Sequence, residues 1–263
     1  MREELKNKNR IVIKLGTSTI SFGSGRMNFS RLEKLSMVMS DVINSGRELV
    51  LVSSGAIGVG AGRLKMSDAP SGLVPRQALA AIGQAELIRI YQKFFDQYNQ
   101  MVAQVLLTRD GMDDEIRGRN ARNTLNELIR MRIIPIVNEN DTVATEEIQF
   151  GDNDTLSAKV AVLVEADLLV ILTDIDGLYT ADPRNGTPAE IIRNVREINE
   201  DIEQYAEGSS SSFTKGGMKT KIAAARLCAA SGVDMAIING REPDNILRLL
   251  DGEEIGTCFF ARQ

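Results

Sequence analysis

The 263-residue chain is 43% hydrophobic and 25% charged, with a net charge of −5. That is an ordinary globular balance for one or two domains, without the basic excess of a general nucleic-acid or membrane-surface binder. It contains no histidine. This excludes Ser-His-Asp and Cys-His nucleophile systems and most transition-metal sites, and leaves lysines, carboxylates, amides, hydroxyls and backbone N–H groups to carry any chemistry. Such a set suits reactions driven by charge stabilisation, with phosphoryl transfer the leading example.

The N-terminal MREELKNKNR has no apolar core of a signal peptide, and no stretch reaches the length that spans a bilayer, so a cytoplasmic protein is expected. Cys228 and Cys258 form no CxxC or metal spacing and read as two small apolar side chains of a reduced protein.

Arg10–Leu15 (RIVIKL) predicts the first strand. Lys14 interrupts its apolar run, and Gly16 and Thr17 follow it with backbone N–H groups that suit a phosphate. The alternative is a lysine snorkelling from a sheet edge. A helix over Arg31–Ser45 leads to a second strand, Leu49–Ser53. After it, Ser54-Gly55-Ala56 opens a glycine-spaced helical stretch, Ile57–Gly62. That turn either points N–H groups at an anion or is a plain N-cap at Ser53 or Ser54. Arg63 stands where the last glycine of G-x-G-x-x-G would fall, and no G-x-x-x-x-G-K-[ST] occurs, so bound ATP would not use a P-loop.

A helix over Pro75–Tyr98, a strand over Met101–Leu107, a helix over Arg117–Met131 and a strand over Ile133–Val137 come next. That strand runs into Asn138-Glu139-Asn140-Asp141, with Phe150–Thr155 (FGDNDT) shortly after and a weakly alternating Val143–Gln149 between them as a small hairpin. Carboxylates this dense bind an ammonium, orient lysines or hold Mg²⁺ through waters, although turn and cap chemistry accounts for many single Asn and Asp residues. Asp154 also suits a cap on a helix over Thr155–Glu165.

The strand Leu168–Leu172 ends in Thr173-Asp174-Ile175-Asp176-Gly177, read as a structured loop or a nucleotide contact. Gly208–Gly217 (GSSSSFTKGG) reads as a mobile loop. Lys215, Lys219 and Lys221 cluster around the start of a helix over Met218–Ser231. Cations at a helix N-terminus are unfavourable unless an anion joins them, which points to a polyphosphate over a merely solvated cluster. A strand over Asp234–Ile238, a helix over Pro243–Leu250 and a closing strand near Gly256–Phe260 complete the chain. Near-continuous apolar strands alternating with helices predict an α/β sandwich of three layers around a mostly parallel sheet, in one compact domain spanning residues 1–263. Ligands then belong at the C-terminal ends of the strands.

Six segments resemble the amino-acid kinase family, in its glutamate-phosphorylating branch: VIKLGTS at Val12–Ser18, SSGAIGVG at Ser53–Gly60, LLTRDGM at Leu106–Met112, NENDTVATEEIQFGDND at Asn138–Asp154, LTDIDGLYTADPR at Leu172–Arg184 and GGMKTK at Gly216–Lys221. The resemblance implies the amino-acid kinase fold and phosphorylation of the γ-carboxylate of L-glutamate by ATP, the first step towards proline, with Mg²⁺ bridging the ATP phosphates and no metal-ligating residue assigned. It implies that Lys14 and Lys221 flank the transferring phosphoryl group, that Asp154 holds those lysines, and that Ser54, Asp141 and Asn153 bind the amino acid. Thr173, Asp174 and the loop Lys215, Gly216, Gly217, Met218, Lys219, Thr220, Lys221 are implied to contact the nucleotide, as is Lys14. Feedback inhibition by proline and association into a homo-oligomer are further implications. The family's loop carries threonine where this chain has Lys215, and many members carry a C-terminal PUA domain that is not expected here. A sister kinase acting on N-acetylglutamate, aspartate or a nucleoside monophosphate, and a non-catalytic amino-acid sensor, are the alternatives.

Overall fold

The computed structural model describes residues 1–22, 26–66, 70–143, 153–182, 188–208 and 217–261. The strands are β1 (Arg10–Leu15), β2 (Glu48–Ser53), β3 (Val102–Leu107), β4 (Ile134–Glu139), β5 (Leu168–Thr173), β6 (Asn194–Val195), β7 (Asp234–Asn239) and β8 (Thr257–Phe259). They form one sheet in the order β3-β4-β2-β1-β5-β7-β8-β6. Every pairing is parallel except β7 with β8.

The central strands are apolar on both sides because both sides are covered. On one face Ile11, Ile13, Leu51, Ile136, Val170 and Ile238 pack against Leu35, Met39, Tyr91 and Phe95. These last four come from α2 (Phe29–Asn44) and α4 (Leu73–Phe95). On the other face Val12, Val52, Val137, Ile171 and Ile237 pack against Leu125, Val160 and Ile222. Those come from α6 (Glu115–Arg130), α7 (Asn153–Leu163) and α9 (Met218–Ala230). The alternation follows the two-residue period of a strand and gives the expected three layers. Both cysteines lie in these cores, and burial pushes each thiol up to about 12, so they act as apolar side chains.

Two long helices start earlier than their apolar periodicity predicts, because caps set their boundaries. Asn28 accepts the N–H of Arg31 at 3.1 Å, so α2 begins at Phe29. Asp114 accepts the N–H of Arg117 at 2.8 Å, so α6 begins at Glu115. Three short helices lack an extended apolar period and were not expected: α1 (Thr17–Ile20), α5 (Arg109–Asp113) and α8 (Glu200–Gly208), while α10 (Asn245–Leu250) is the helix predicted over Pro243–Leu250, two residues shorter. The edge strand β6 is too short to leave a pattern. The expected hairpin falls almost wholly at 144–149, outside the described residues.

Helix α3 (Ala56–Arg63) gives the glycine-spaced stretch its reason. A Cβ on Gly60 would lie 2.1 Å from the Leu79 carbonyl oxygen, and one on Gly83 would lie 1.7 Å from that of Ala56. The glycines let α3 and α4 meet backbone to backbone, and this fixes the turn that carries Ser54. The helix is entered through Gly55 at φ 95°, a left-handed conformation, so neither Ser53 nor Ser54 is the N-cap.

Candidate active site

Three charged side chains from separate elements meet at the C-terminal end of the sheet. Lys14 comes from the end of β1, Asp154 from the first turn of α7, and Lys221 from the first turn of α9. They are 8%, 1% and 7% exposed. The Lys14 Nζ lies 2.7 Å from Asp154 Oδ1 and the Lys221 Nζ lies 3.0 Å from Asp154 Oδ2. Thr220 Oγ1 sits 2.8 Å from the same Oδ2. Burial works to raise the Asp154 pKa, but the two ammonium groups and the Thr220 hydroxyl outweigh it and hold the carboxyl well below the usual carboxylate range. Asp154 is therefore ionised at neutral pH, one negative charge gripping two positive ones. It lies inside α7, which begins at Asn153, and does not cap it.

Next to this trio lies a polar bed built by Asn153. Its Nδ2 donates to the Ser53 carbonyl at 2.8 Å, to Ser54 Oγ at 2.8 Å and to Asn138 Oδ1 at 3.1 Å. Asn138 Oδ1 also accepts the N–H of Glu139 at 2.9 Å. Ser53 Oγ shares a 2.8 Å hydrogen bond with the wholly buried Tyr91 hydroxyl, which ties the bed to the core. Asp141 follows β4 and is half-buried. Burial, reinforced by the charge of Glu139 and opposed by Arg76, pushes its carboxyl up to about 6.

The end of β5 lies beside the trio. Thr173 is buried, its carbonyl accepts the N–H of Gly240 at 2.8 Å, and its hydroxyl donates to Asp174 at 3.3 Å. Asp176 accepts from Asn239 Nδ2 at 2.7 Å. Gly177 packs under Thr257, whose Oγ1 accepts the N–H of Leu178 at 2.8 Å.

The structure thus brings together Lys14, Asp154 and Lys221, with Thr220 on the same carboxylate. It places Ser54 and Asn153 in mutual contact and sets Thr173 at the end of β5, with Asp141 and Asp174 on loops at the same end of the sheet. Gly217 is the residue before α9, Met218 is buried in its first turn, and Lys219 is exposed there. Lys215 and Gly216 lie outside the described residues. Sequence reading missed three contributors: Asn138 as the acceptor that orients Asn153, Thr220 as a ligand of Asp154, and Thr257 under the β5 loop. A hydroxyl three residues into a helix opened by Gly-Gly was a usable signal for Thr220 alone.

Among the described residues no group of three or more acidic or cysteine side chains is placed to hold a metal. Also among them, no helix is long and apolar enough to cross a membrane.

The chain matches the amino acid kinase family over residues 9–239. It is 49% identical to a glutamate 5-kinase of Clostridium perfringens, over 100% of this chain and 99% of that one. It is 50% identical to a glutamate 5-kinase of Listeria monocytogenes serotype 4b, over 100% of this chain and 97% of that one. Among solved structures it resembles the carbamate kinase of Giardia lamblia bound to AMP-PNP, with a TM-score of 0.71 at 15% identity, covering 98% and 100% of the two chains. The UMP kinase of Bacillus anthracis aligns with a TM-score of 0.66 at 16% identity, covering 97% of each chain. At those identities the structural likeness establishes the fold alone.

Proposed function

The chain belongs to the amino acid kinase family, and from that premise we propose that it transfers the γ-phosphoryl group of ATP to the γ-carboxylate of L-glutamate, as the first step towards proline. The observation that carries the reading is Asp154 holding Lys14 and Lys221 on its two oxygens. Two ammonium groups fixed this way are pre-placed for the charge on a phosphoryl group in transfer, the main catalytic need of this chemistry. The substrate assignment rests on the glutamate 5-kinases that match the whole chain.

In this reading the glutamate γ-carboxylate attacks the γ-phosphorus of ATP in line. A bond forms between carboxylate oxygen and phosphorus as the bond to the bridging oxygen breaks, and ADP leaves with its electron pair. The attacking carboxylate is already ionised at neutral pH, so no general base is required and the lack of histidine costs nothing. Ser54, Asn153 and Asp141 bind the amino acid. Thr173, Asp174 and the segment opening α9 contact the nucleotide, with the α9 N-terminus facing its phosphates.

The described side chains fit Mg²⁺ only as a partner of the nucleotide, because they offer no carboxylate cage of their own. The metal would be held by the phosphates and would neutralise their charge. A cytoplasmic location, inhibition by proline and self-association complete the proposal by family resemblance.

The test is ADP release from MgATP with L-glutamate, N-acetyl-L-glutamate and L-aspartate in turn, with hydroxylamine to trap an acyl phosphate. Glutamate-dependent turnover with trapped hydroxamate is expected. Turnover with another acid alone would move the substrate assignment. Glutamate binding without turnover would replace the kinase by a sensor.

A further inference from the structure

Glu139 is the last residue of β4 and is 2% exposed. Its backbone is used by the fold: its N–H donates to Asn138 Oδ1 and its carbonyl accepts from Gln84 Nε2 at 3.3 Å. Its side chain is not. The Oε2 atom is buried and has no hydrogen-bond partner, and among the described residues no lysine or arginine forms an ion pair with Glu139. Burying an acceptor oxygen without a donor costs about 1 to 3 kcal/mol, a sizeable share of what a small domain holds in reserve. Packing does not account for it, since an apolar side chain of similar size would fill the space without that cost.

A second acceptor nearby is in the same condition. The Oδ1 of Asn153 is buried and makes no hydrogen bond. Its amide orientation is determined, because the other terminal atom faces three oxygens and must be the nitrogen. Asn138 connects the two residues, touching the Asn153 amide and the Glu139 N–H with one oxygen. Asp141, close enough to Glu139 to feel its charge, adds a further carboxylate two residues along. Two residues joined through Asn138 thus each carry a buried acceptor without a donor. A missing partner must supply several N–H bonds and a positive charge, which describes a primary ammonium. Among the described residues no third metal-ligating side chain joins these carboxylates, which favours an ammonium over a resident metal ion.

Resting on the function proposed above, we infer that Glu139 is a specificity-determining residue that selects acids bearing a free α-ammonium group. It rejects the same acids when that group is acylated or missing. An acylated nitrogen keeps one N–H and no charge, and leaves the buried acceptors unsatisfied.

The experiment compares wild type with Glu139→Gln on L-glutamate, glutarate and N-acetyl-L-glutamate, measuring kcat and KM by hydroxamate trapping. Glutarate keeps both carboxylates and lacks the ammonium. The substitution is expected to lower kcat/KM for L-glutamate on the order of 10- to 100-fold, mainly through KM, the worth of one charged hydrogen bond. Glutarate turnover should change by less than about 3-fold, so the preference between the two acids collapses. An equal fall on both would show a merely structural role and overturn the inference. Unchanged selectivity would also overturn it. If Glu139→Gln fails to fold, Glu139→Asp is measured in the same way, with the same loss of preference expected to a smaller degree. Wild-type turnover of L-glutamate is the separate control, since its absence refutes the proposed function whatever Glu139 does.

Discussion

Lys14 ends the first strand and Asp154 lies in the first turn of α7, and their side chains meet at 2.7 Å in a pocket that leaves Asp154 1% exposed. In the proposed mechanism the carboxylate is a fixed post for a lysine that has to be cationic and correctly placed before substrate arrives. Asp154→Asn removes that post for both Lys14 and Lys221. Breaking a buried ionic group by deleting one partner costs about 3 to 5 kcal/mol, so thermal unfolding should fall clearly, with MgATP restoring part of it. Turnover should fall on the order of 10²-fold or more, as for removal of a preorganised transition-state contact. Lys14→Ala and Lys221→Ala should lose similar turnover with a smaller loss of stability. Near-normal turnover in either variant would refute the roles assigned to the lysines.

The same carboxylate has a pH signature. The folded state holds its pKa below the ordinary value. Its contribution is therefore complete above the unfolded pKa of about 3.9 and is lost as pH falls beneath it. Urea unfolding from pH 7 down to 3 should show wild type losing stability more steeply below about pH 4 than Asp154→Asn does.

Asp141 titrates with the opposite sign. Its folded pKa of about 6 lies above the unfolded value, so the native state is penalised increasingly as pH rises from about 4 to 6 and carries the full penalty above that. Asp141→Asn should unfold at a higher temperature than wild type at pH 8, and the difference should vanish near pH 4. It should also weaken L-glutamate. In wild type, KM for L-glutamate should rise as pH drops through about 6, because the protonated carboxyl no longer attracts an ammonium. A flat KM between pH 5 and 8 would remove Asp141 from the substrate site.

How far the sequence disclosed this site follows from what each residue leaves behind. The central strands were legible because burial on both faces demands a continuous apolar run, and Lys14 stood out against that run. Asn153 and Asp154 were legible as part of a dense polar cluster after a strand. The orienting role of Asn138 was not, because it depends on two distant segments meeting in space, and Thr220 was legible as a hydroxyl near the helix start but not as a partner of Asp154. The glycines of α3 were legible as a spacing and illegible as a cause. Only the approach of α4 shows that Gly60 meets a carbonyl. Glu139 sat in the same cluster as its neighbours, but its missing partner becomes visible only once burial is known.

That helix contact makes its own prediction. A methyl group on Gly83 would collide with the Ala56 carbonyl, so Gly83→Ala must drive α3 away from α4. Overpacking of this kind costs about 1 to 3 kcal/mol, and rigid backbone on both sides puts this case at the upper end. Because α3 follows directly from Ser54 and Gly55, the shift should also raise KM for glutamate more than KM for ATP. Gly62, whose added Cβ would meet nothing within 4 Å, is the control: Gly62→Ala should be neutral or slightly stabilising, since alanine favours a helix.

Thr257 bears on the other substrate. Its Oγ1 accepts the N–H of Leu178 at 2.8 Å, and a Cβ on Gly177 would lie 2.5 Å from the same atom, so the loop after β5 packs directly on this hydroxyl. Thr257→Val keeps the shape and removes the acceptor, leaving a buried N–H unsatisfied at a cost of about 1 to 3 kcal/mol. If Thr173 and Asp174 at the head of that loop contact the nucleotide, KM for ATP should rise several-fold while KM for glutamate holds. Thr257→Ser, which keeps the hydroxyl, should restore the ATP affinity. A loss of stability with both KM values unchanged would make Thr257 purely a folding residue and would place the nucleotide away from this loop.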